Sequence, residues 1–162
     1  MNADIPTQPD RLHYRLEYFY QLSIGFAGLD AVGPTAEGLL LVTSFEDGKV
    51  EGPKLKGRVS AISGDWFRIL RDGLSRIEGR ATIETEDQAL IYLEAHGLAD
   101  LGEGAFPKAL AGDLPEQVKL RLSLHIESYH PDYLWHNRAF CIGIGEADLS
   151  AHTLKIDVYG LS

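Results

Sequence analysis

Asp65 is the residue whose type and neighbours most directly suggest catalysis. It stands between Gly64 and Trp66, and a carboxylate beside a large indole can lose part of its hydration. That loss raises the pKa of a carboxyl group toward neutrality, where the group works as a general acid or base. A second interpretation is structural, with Asp65 capping the turn after Gly64 and Trp66 filling the core.

Tyr92 and His96 form a second candidate pair for acid–base chemistry. They are four residues apart in a predicted strand, so their side chains share a face. A phenol and an imidazole on one pocket wall could bind and deprotonate a phenolic or enolic substrate. Periodicity does not say which face of a strand points inward, so a solvated exterior face stays open as the alternative.

A row of polar side chains alternates with leucine and isoleucine between Val118 and Ser128. Its members are Arg121, Ser123, His125 and Glu127. Because arginine holds a carboxylate through two parallel hydrogen bonds, the row predicts an anchor for a substrate carboxylate or a structural ion pair. Arg80 and Glu84 also share a face in their own strand and could line the interior.

Trp135 and Asn137 frame an aromatic segment near the end of the chain, residues 133–137. An indole can cover an apolar ligand and an amide can orient a polar one. The alternative is that both side chains pin this segment to the rim of the fold. With Trp66, Arg121, Ser123, His125 and Glu127, they make up the predicted substrate-binding set.

Motifs for metal, nucleotide and nucleophilic chemistry are missing from the sequence. His125, His130 and His136 lack the His-Glu-x-x-His pattern and a second cluster of ligands. There is no Gly-x-Ser-x-Gly elbow, phosphate-binding loop or dinucleotide fingerprint. Cys141 lies in mid-strand and is predicted to be a small buried hydrophobe. We therefore expect no metal and no cofactor.

The elements that must position these residues are short strands. Alternating or apolar runs occur at 14–24, 39–45, 55–62, 65–70, 74–85, 89–95, 118–128, 138–145 and 153–159. Asp47-Gly48 and Asp72-Gly73 suit tight hairpin turns. A Gly-, Ala- and Pro-rich stretch at 97–114 can hold one short helix, predicted at 107–111, and a lid over a barrel mouth.

The pattern predicts an all-β protein, an antiparallel calycin- or lipocalin-like barrel of about nine or ten strands with one short helix. The chain of 162 residues is the size of one domain. We expect a flexible N-terminal arm at 1–11 followed by a single β-barrel domain at 12–162.

Charge and composition limit the partners. The formal net charge of −9 would repel phosphate backbones and anionic lipids, so we expect neither nucleic acid nor membrane as a partner. A lone cysteine excludes an internal disulfide, and the polar N-terminus does not resemble a signal peptide, which favours a cytoplasmic protein. An exposed strand edge could make a homodimer.

Five short motifs occur in order along the chain, at residues 50–59 (VEGPKLKGRV), 64–66 (GDW), 71–73 (RDG), 89–92 (ALIY) and 133–137 (YLWHN). Together they resemble the family known as domain of unknown function 3237 (DUF3237, or UPF0311). The resemblance runs from about residue 16 to 159 and implies a calycin-like barrel. It also implies cofactor-free transformations of small aromatic or polyketide-like molecules, such as ring closure by addition of a hydroxyl to an alkene.

The chain departs from the family pattern where the pocket would be specified. Residues 39–43 (LLLVT) replace a segment with basic residues and proline, and 86–88 (EDQ) replace an Asp-Asp-Gly turn. His96 replaces an arginine, and 122–125 (LSLH) replace Thr-Thr-Pro-Arg, whereas Arg121 and Glu127 match the family. Different side chains in these positions imply a different substrate.

Two function classes follow. The first is a cofactor-independent isomerase, lyase or cyclase acting on a small, mostly apolar molecule, with Asp65 as acid or base and Tyr92 or His96 as its counterpart. In this hypothesis Arg121 stabilises an anion while Trp66 and Trp135 form apolar walls. The second is a lipocalin-type carrier that binds a small molecule without changing it.

Overall fold

The computed structural model describes residues 13–162, and the predicted arm at 1–11 lies outside them. The elements are β1 (Leu16–Gly25), β2 (Asp30–Thr35), β3 (Gly38–Ser44), β4 (Gly48–Glu51), β5 (Lys56–Val59), β6 (Gly64–Ile69), β7 (Leu74–Thr85), β8 (Leu90–Asp100), α1 (Ala105–Leu110), β9 (Gln117–Ser128), a 3₁₀ helix (Pro131–Arg138), β10 (Phe140–Asp148) and β11 (Thr153–Leu161). The all-β prediction is confirmed.

Eight strands close into an antiparallel barrel. Around the ring, β1 pairs with β11, then come β10, β9, β8, β7, β5 and β4, and β4 pairs with β1 again. Each of the eight strands thus pairs with a neighbour on both sides, which is how a barrel avoids an exposed strand edge.

The wall divides along β7, because one of its edges is shared by two partners. Residues 75–80 pair with β6 and residues 83–85 pair with β5, whereas the other edge pairs with β8 throughout. Strand β6 continues to β3 and β2, and a bridge between Phe26 and Phe45 joins the end of β3 to β1. Strands β6 and β3 therefore form the wall at the end of the barrel where β7 begins, which we call the mouth.

Period-two alternation sets the two faces of the wall. In β8, Ile91, Leu93 and Ala95 are buried while the residues between them face solvent. Strand β9 follows the same rule, with leucine and isoleucine inward. The interior is thus apolar along most of its length, because the polar member of each alternating pair lies on the outer face.

A β-bulge in β1 changes which side chains point inward. The register with β11 shifts between Tyr18 and Tyr20, so Phe19 and Tyr20 are both buried although they are neighbours. A bulge adds one residue to a strand and reverses the alternation beyond it. Tyr18, which the sequence pattern placed on the same face as Tyr20, is on the outside.

The two ends of the barrel are closed differently. At the mouth, α1 packs Phe106 and Ala109 against Leu39, Leu41 and Ile69, close to the predicted helix at 107–111. At the opposite end the aromatic segment at residues 133–137 lies within the 3₁₀ helix. No helix among residues 13–162 is long and apolar enough to cross a bilayer.

Close strand contact makes Gly57 a site of large expected destabilisation. A methyl group on Gly57 would lie 2.2 Å from the Glu84 carbonyl oxygen of the paired strand. We expect Gly57→Ala to lower the free energy of unfolding by about 3 kcal/mol, since the strand pair must move apart. Urea denaturation followed by circular dichroism measures this loss.

The control is Gly79→Ala in β7, where the nearest atom to an added methyl group would be the Ala95 Cβ at 3.6 Å. That distance is an ordinary contact, and we expect a change within about 0.5 kcal/mol. Equal effects of the two substitutions would contradict the close pairing of β5 with β7.

Candidate functional site

A cavity opens at the mouth of the barrel and is lined almost entirely by apolar side chains. The volume open to the centre of a water molecule is about 60 Å³, several times the roughly 10–15 Å³ that one water needs. The apolar lining residues are Phe26, Leu29, Phe45, Phe67, Ile69, Ile77, Leu101, Leu114, Pro115, Val118, Leu120, Ala147, Leu149 and Leu154. Such a site suits a small apolar molecule.

Asp65 is the ionisable group in the cavity wall. It lies in β6, where Asp65, Phe67 and Ile69 alternate with outward side chains and line the cavity. Its Oδ1 atom is buried and has no hydrogen-bond partner among residues 13–162. A buried carboxylate oxygen without a partner is unusual and costly.

The environment of Asp65 favours its neutral form. Burial raises its pKa to about 6, and the negative charge of Glu78 adds to the rise, while the backbone amides of Glu78 and Trp66 oppose it. The carboxyl group therefore exchanges its proton near neutral pH, as a general acid or base requires.

Two hydroxyl groups complete the polar part of the lining. Thr43 pairs with Asp65 across β3 and β6, and its Oγ1 donates to the Gly28 carbonyl oxygen, so its proton is committed to the backbone. Ser75 is buried in β7 and lines the same cavity. Sequence reasoning did not select either residue, because a lone Ser or Thr in an apolar strand carries no motif.

Trp66 is not a wall of the pocket, contrary to the sequence hypothesis. Neighbouring residues in a strand point to opposite faces, so the inward position of Asp65 turns Trp66 outward. Its side chain is 43% exposed, and it borders an outer groove with Arg80 and Glu78. The apolar surroundings of Asp65 come instead from the cavity lining.

The sequence-predicted partners of Asp65 also lie outside the barrel. Tyr92 and His96 are exposed on the outer face of β8. The Tyr92 hydroxyl donates to Glu94 Oε1 at 2.7 Å, and this hydrogen bond is the main cause of the raised pKa of Tyr92. Arg80 Nε donates to the same carboxylate at 3.2 Å. These residues do not meet Asp65 in the cavity.

The polar row of β9 shares that outer face. Arg121, Ser123, His125 and Glu127 are all exposed. His125 Nε2 lies 2.9 Å from Glu127 Oε1, and Arg121 Nη1 donates to the Leu120 carbonyl oxygen at 2.8 Å. The interior location that an anchor for a bound carboxylate would need is therefore not observed. Glu84 is likewise outside, paired with Arg58 at 2.8 Å.

Trp135 and Asn137 belong to the end of the barrel opposite the mouth. The Trp135 ring packs edge-on against Phe19 with centroids 5.1 Å apart. Asn137 accepts from the Ser128 amide at 2.7 Å and donates to the Ser128 carbonyl oxygen at 2.8 Å. Both polar atoms of the amide thus hold the 3₁₀ helix against β9. This matches the structural alternative, and neither residue lines the mouth cavity.

His136 is a buried polar residue that the sequence analysis did not place in a site. It is 1% exposed, stacks on Trp135 with centroids 3.6 Å apart, and lies 3.3 Å from the Tyr20 hydroxyl through Nε2. Burial lowers its pKa to about 4 and raises the pKa of Tyr20. The pair closes the far end of the barrel as neutral groups.

Asp87, His130 and Asp132 bring possible metal-ligand atoms within 4.8 Å of one another at the surface. Two of these atoms already have protein partners. Asp87 Oδ1 accepts from the Tyr133 hydroxyl at 2.8 Å, and His130 Nδ1 accepts from the Asp132 amide at 3.3 Å. The expected absence of a metal stays a prediction.

Comparison with solved structures supports the barrel architecture. A conserved protein of unknown function from Rhodopseudomonas palustris has a TM-score of 0.82 at 21% identity, over 93% of this chain and 99% of the other. A β-barrel-like protein from Acinetobacter baumannii has a TM-score of 0.79 at 26% identity, over 96% of this chain and 100% of the other. An enzyme from Penicillium herquei has a TM-score of 0.67 at 14% identity, over 96% and 98%.

Sequence comparison gives the family. A UPF0311 protein from Rhodopseudomonas palustris strain TIE-1 is 24% identical over 145 residues, 88% of this chain and 94% of that protein. The family model described as protein of unknown function DUF3237 matches residues 14–161. The chain therefore belongs to the DUF3237 family.

Proposed function

We propose that this protein is a cofactor-independent acid–base enzyme acting on a small, mostly apolar molecule held in the mouth cavity. The observation that carries the proposal is Asp65, a carboxyl group in an apolar cavity with a buried, unpartnered oxygen and a pKa near 6. Carboxyl groups with pKa values near the working pH are efficient proton-transfer catalysts.

One carboxyl group is sufficient for a proton shuttle. In an isomerisation, the Asp65 carboxylate removes a proton from one carbon of the substrate and returns it to another, so the double bond moves and no atom is gained or lost. In a ring closure, it takes the proton of a hydroxyl as that oxygen adds to an activated alkene, and returns the proton to the alkene carbon. Both reactions begin from the ionised form.

The proposal does not include the outer-face residues Tyr92 and His96 in the shuttle. A general base must come within hydrogen-bonding reach of the proton it transfers, and these two side chains are on the far side of the wall from the cavity. Asp65 therefore both accepts the proton and returns it.

The barrel shared with the Penicillium herquei enzyme is compatible with catalysis in this architecture, although at this identity the likeness concerns the fold alone. The competing function is a carrier, and the apolar character of the other lining residues favours it. A carrier of apolar molecules gains nothing from a buried carboxyl group with one unpartnered oxygen, since burying that group costs stability.

The test uses two neutral probes, 3-cyclohexen-1-one for double-bond migration and 2′-hydroxychalcone for ring closure. We expect conversion of at least one probe, seen by ultraviolet absorbance, with a rate that rises as pH increases through about 6. A ¹³C NMR titration of the Asp65 carboxyl carbon should give the same midpoint. Binding of both probes without conversion at any pH would support the carrier instead.

Substitutions on the outer face decide between the two placements of the catalytic partner. We expect Tyr92→Phe and His96→Ala to change the conversion rate less than about 2-fold, since both side chains are outside the cavity. A loss of more than about 10-fold in either variant would restore the sequence hypothesis that these residues act with Asp65.

A further inference from the structure

Ser75 is a second polar group that the cavity offers to a ligand. Its side chain is 3% exposed and lines the same cavity as Asp65. Among the side-chain hydrogen bonds within residues 13–162 none involves Ser75, whereas the Thr43 hydroxyl in the same cavity wall donates to a backbone carbonyl. A buried hydroxyl without a protein partner is available to a bound molecule.

Strand register fixes the distance between the two polar groups. Asp65 pairs with Gly79, Phe67 with Ile77, and Ile69 with Ser75. Asp65 and Ser75 are thus two inward rows apart, or four residues along the strands, which corresponds to about 13 Å. Phe67 and Ile77 lie between them. From the interior toward the mouth, the wall therefore presents the polar Asp65, then apolar side chains, then the polar Ser75.

The charge of the cavity restricts the ligand further. Among the residues from 13 to 162 that line it there is no lysine, arginine or histidine, and Asp65 is the one ionisable group. A bound carboxylate or phosphate would lose its hydration without gaining a cationic partner and would be repelled by ionised Asp65. The cavity therefore disfavours anions. A cation is disfavoured for another reason, since it would have to be buried together with ionised Asp65, and the desolvation of two charges can exceed their attraction.

We infer that the ligand is an elongated, uncharged molecule with a polar group at each end, one held by Asp65 and the other by Ser75. The inference rests on the proposed function in taking the cavity as the ligand site. It adds the substrate class, which the reaction type alone does not define.

The experiment measures dissociation constants for four probes that share one ring system. They are 2-naphthol, 2,6-dihydroxynaphthalene, 2-naphthoate and 2-naphthylmethylamine, titrated by calorimetry at pH 7.5 into wild type, Ser75→Ala and Ser44→Ala. Ser44 is an exposed residue of β3 and is the matched serine control. Melting curves establish that each variant is folded.

In wild type we expect the diol to bind about 5-fold more tightly than 2-naphthol, the gain of one neutral hydrogen bond. Ser75→Ala should abolish this preference, and Ser44→Ala should keep it. The naphthoate should bind at least 10-fold more weakly than 2-naphthol. An unchanged diol preference in Ser75→Ala, or equal or tighter binding of the naphthoate or the amine, would overturn the inference.

These outcomes are distinct from a failure of the proposed function. Selective binding without conversion of any substrate would contradict the proposed enzymatic function but support the inferred ligand class. Conversion of the enone or chalcone probe with no Ser75-dependent preference would support the enzymatic function and contradict the inferred ligand class. If none of the naphthalene probes binds, the assigned ligand class is wrong.

Discussion

Asp65→Asn is expected to lower the conversion rate of a substrate by roughly 10²–10⁴-fold, the usual contribution of a positioned acid–base group. The amide has nearly the shape of the carboxyl group but cannot exchange a proton in this pH range, so binding of neutral probes should change little. Steady-state rates and calorimetric dissociation constants for the same probe, measured on the same preparations, separate the two effects.

The same substitution is expected to increase stability above pH 6, which gives the rate loss a matched control. Because the pKa of Asp65 is raised from 3.8 to about 6 in the folded protein, ionisation opposes folding by about 3 kcal/mol at pH 8. Protonated Asp65 imposes no such loss, so this part of the free energy of unfolding is present below pH 3.8 and is lost as pH rises through about 6. Asparagine carries no charge, so it should recover part of that amount at pH 8 and none at pH 3.5.

Urea denaturation at pH 8 and pH 3.5 measures the recovery. A variant that is inactive because it is misfolded would be less stable at both pH values, so the two explanations of a lost rate are distinguishable. If Asp65→Asn is destabilised equally at both pH values, burial does not raise the pKa of the Asp65 carboxyl group in the folded protein. The central observation behind the proposed function would then be lost.

Strand positions could be predicted from the sequence because each strand buries one face. The runs at 74–85 and 118–128 match β7 and β9 to within one residue, and the Asp72-Gly73 turn joins β6 to β7 as expected. Strand β2 was missed, because its sequence Asp-Ala-Val-Gly-Pro-Thr has turn-forming residues and no alternation. Among the described strands its one partner is β3, at the margin of the sheet, where such residues are tolerated.

The sequence did not allow us to predict which face of each strand points into the barrel. Polar rows on β8 and β9 were candidate pocket walls because polar side chains do chemistry, but this cavity is apolar and those rows face water. The preference for an apolar interior outweighs the chemical interest of the residues. In β1 the bulge at Tyr18–Tyr20 shifts the phase within a single strand, which no period-two pattern foresees.

Asp65 was selected for a reason that needs correction. The sequence hypothesis attributes the desolvation of Asp65 to Trp66, yet adjacent strand residues face opposite sides. The apolar residues that share the cavity with Asp65 are distant from it in sequence, for example Phe26, Leu120 and Leu154. Such contacts depend on barrel closure and cannot be seen in a local pattern. The same holds for Ser75 and for the His136–Tyr20 pair, whose partners are 116 residues apart.

The second large effect concerns acid stability and begins from His136. Its pKa falls from 6.5 to about 4 because the ring is buried, so the unfolded chain binds a proton in this interval that the folded protein does not. Stability from the neutral ring is complete above pH 6.5 and is lost as pH falls through about 4, by about 3 kcal/mol. Protonation of folded Asp65 acts in the opposite direction over nearly the same interval.

In wild type the pH-dependent contributions of His136 and Asp65 to the free energy of unfolding largely offset each other. In Asp65→Asn the contribution of His136 should be measurable on its own. We expect this variant to lose about 3 kcal/mol of stability between pH 7 and pH 4, and wild type to lose much less. The exposed carboxyl groups with lowered pKa values, such as Glu51 and Asp148, are the same in both proteins, so their effect cancels when the two curves are compared. Urea denaturation at half-unit pH intervals gives the two curves.

Removing both members of the buried pair supplies the control for this assignment. Tyr20→Phe with His136→Phe keeps two rings at the closed end and leaves no unpaired hydroxyl, and paired apolar replacement of this kind can be nearly neutral. In the Asp65→Asn background these changes should flatten the curve between pH 7 and pH 4. A slope that persists there would assign the acid sensitivity to other groups, and a flat curve in Asp65→Asn alone would show that His136 is accessible to protons in the folded barrel.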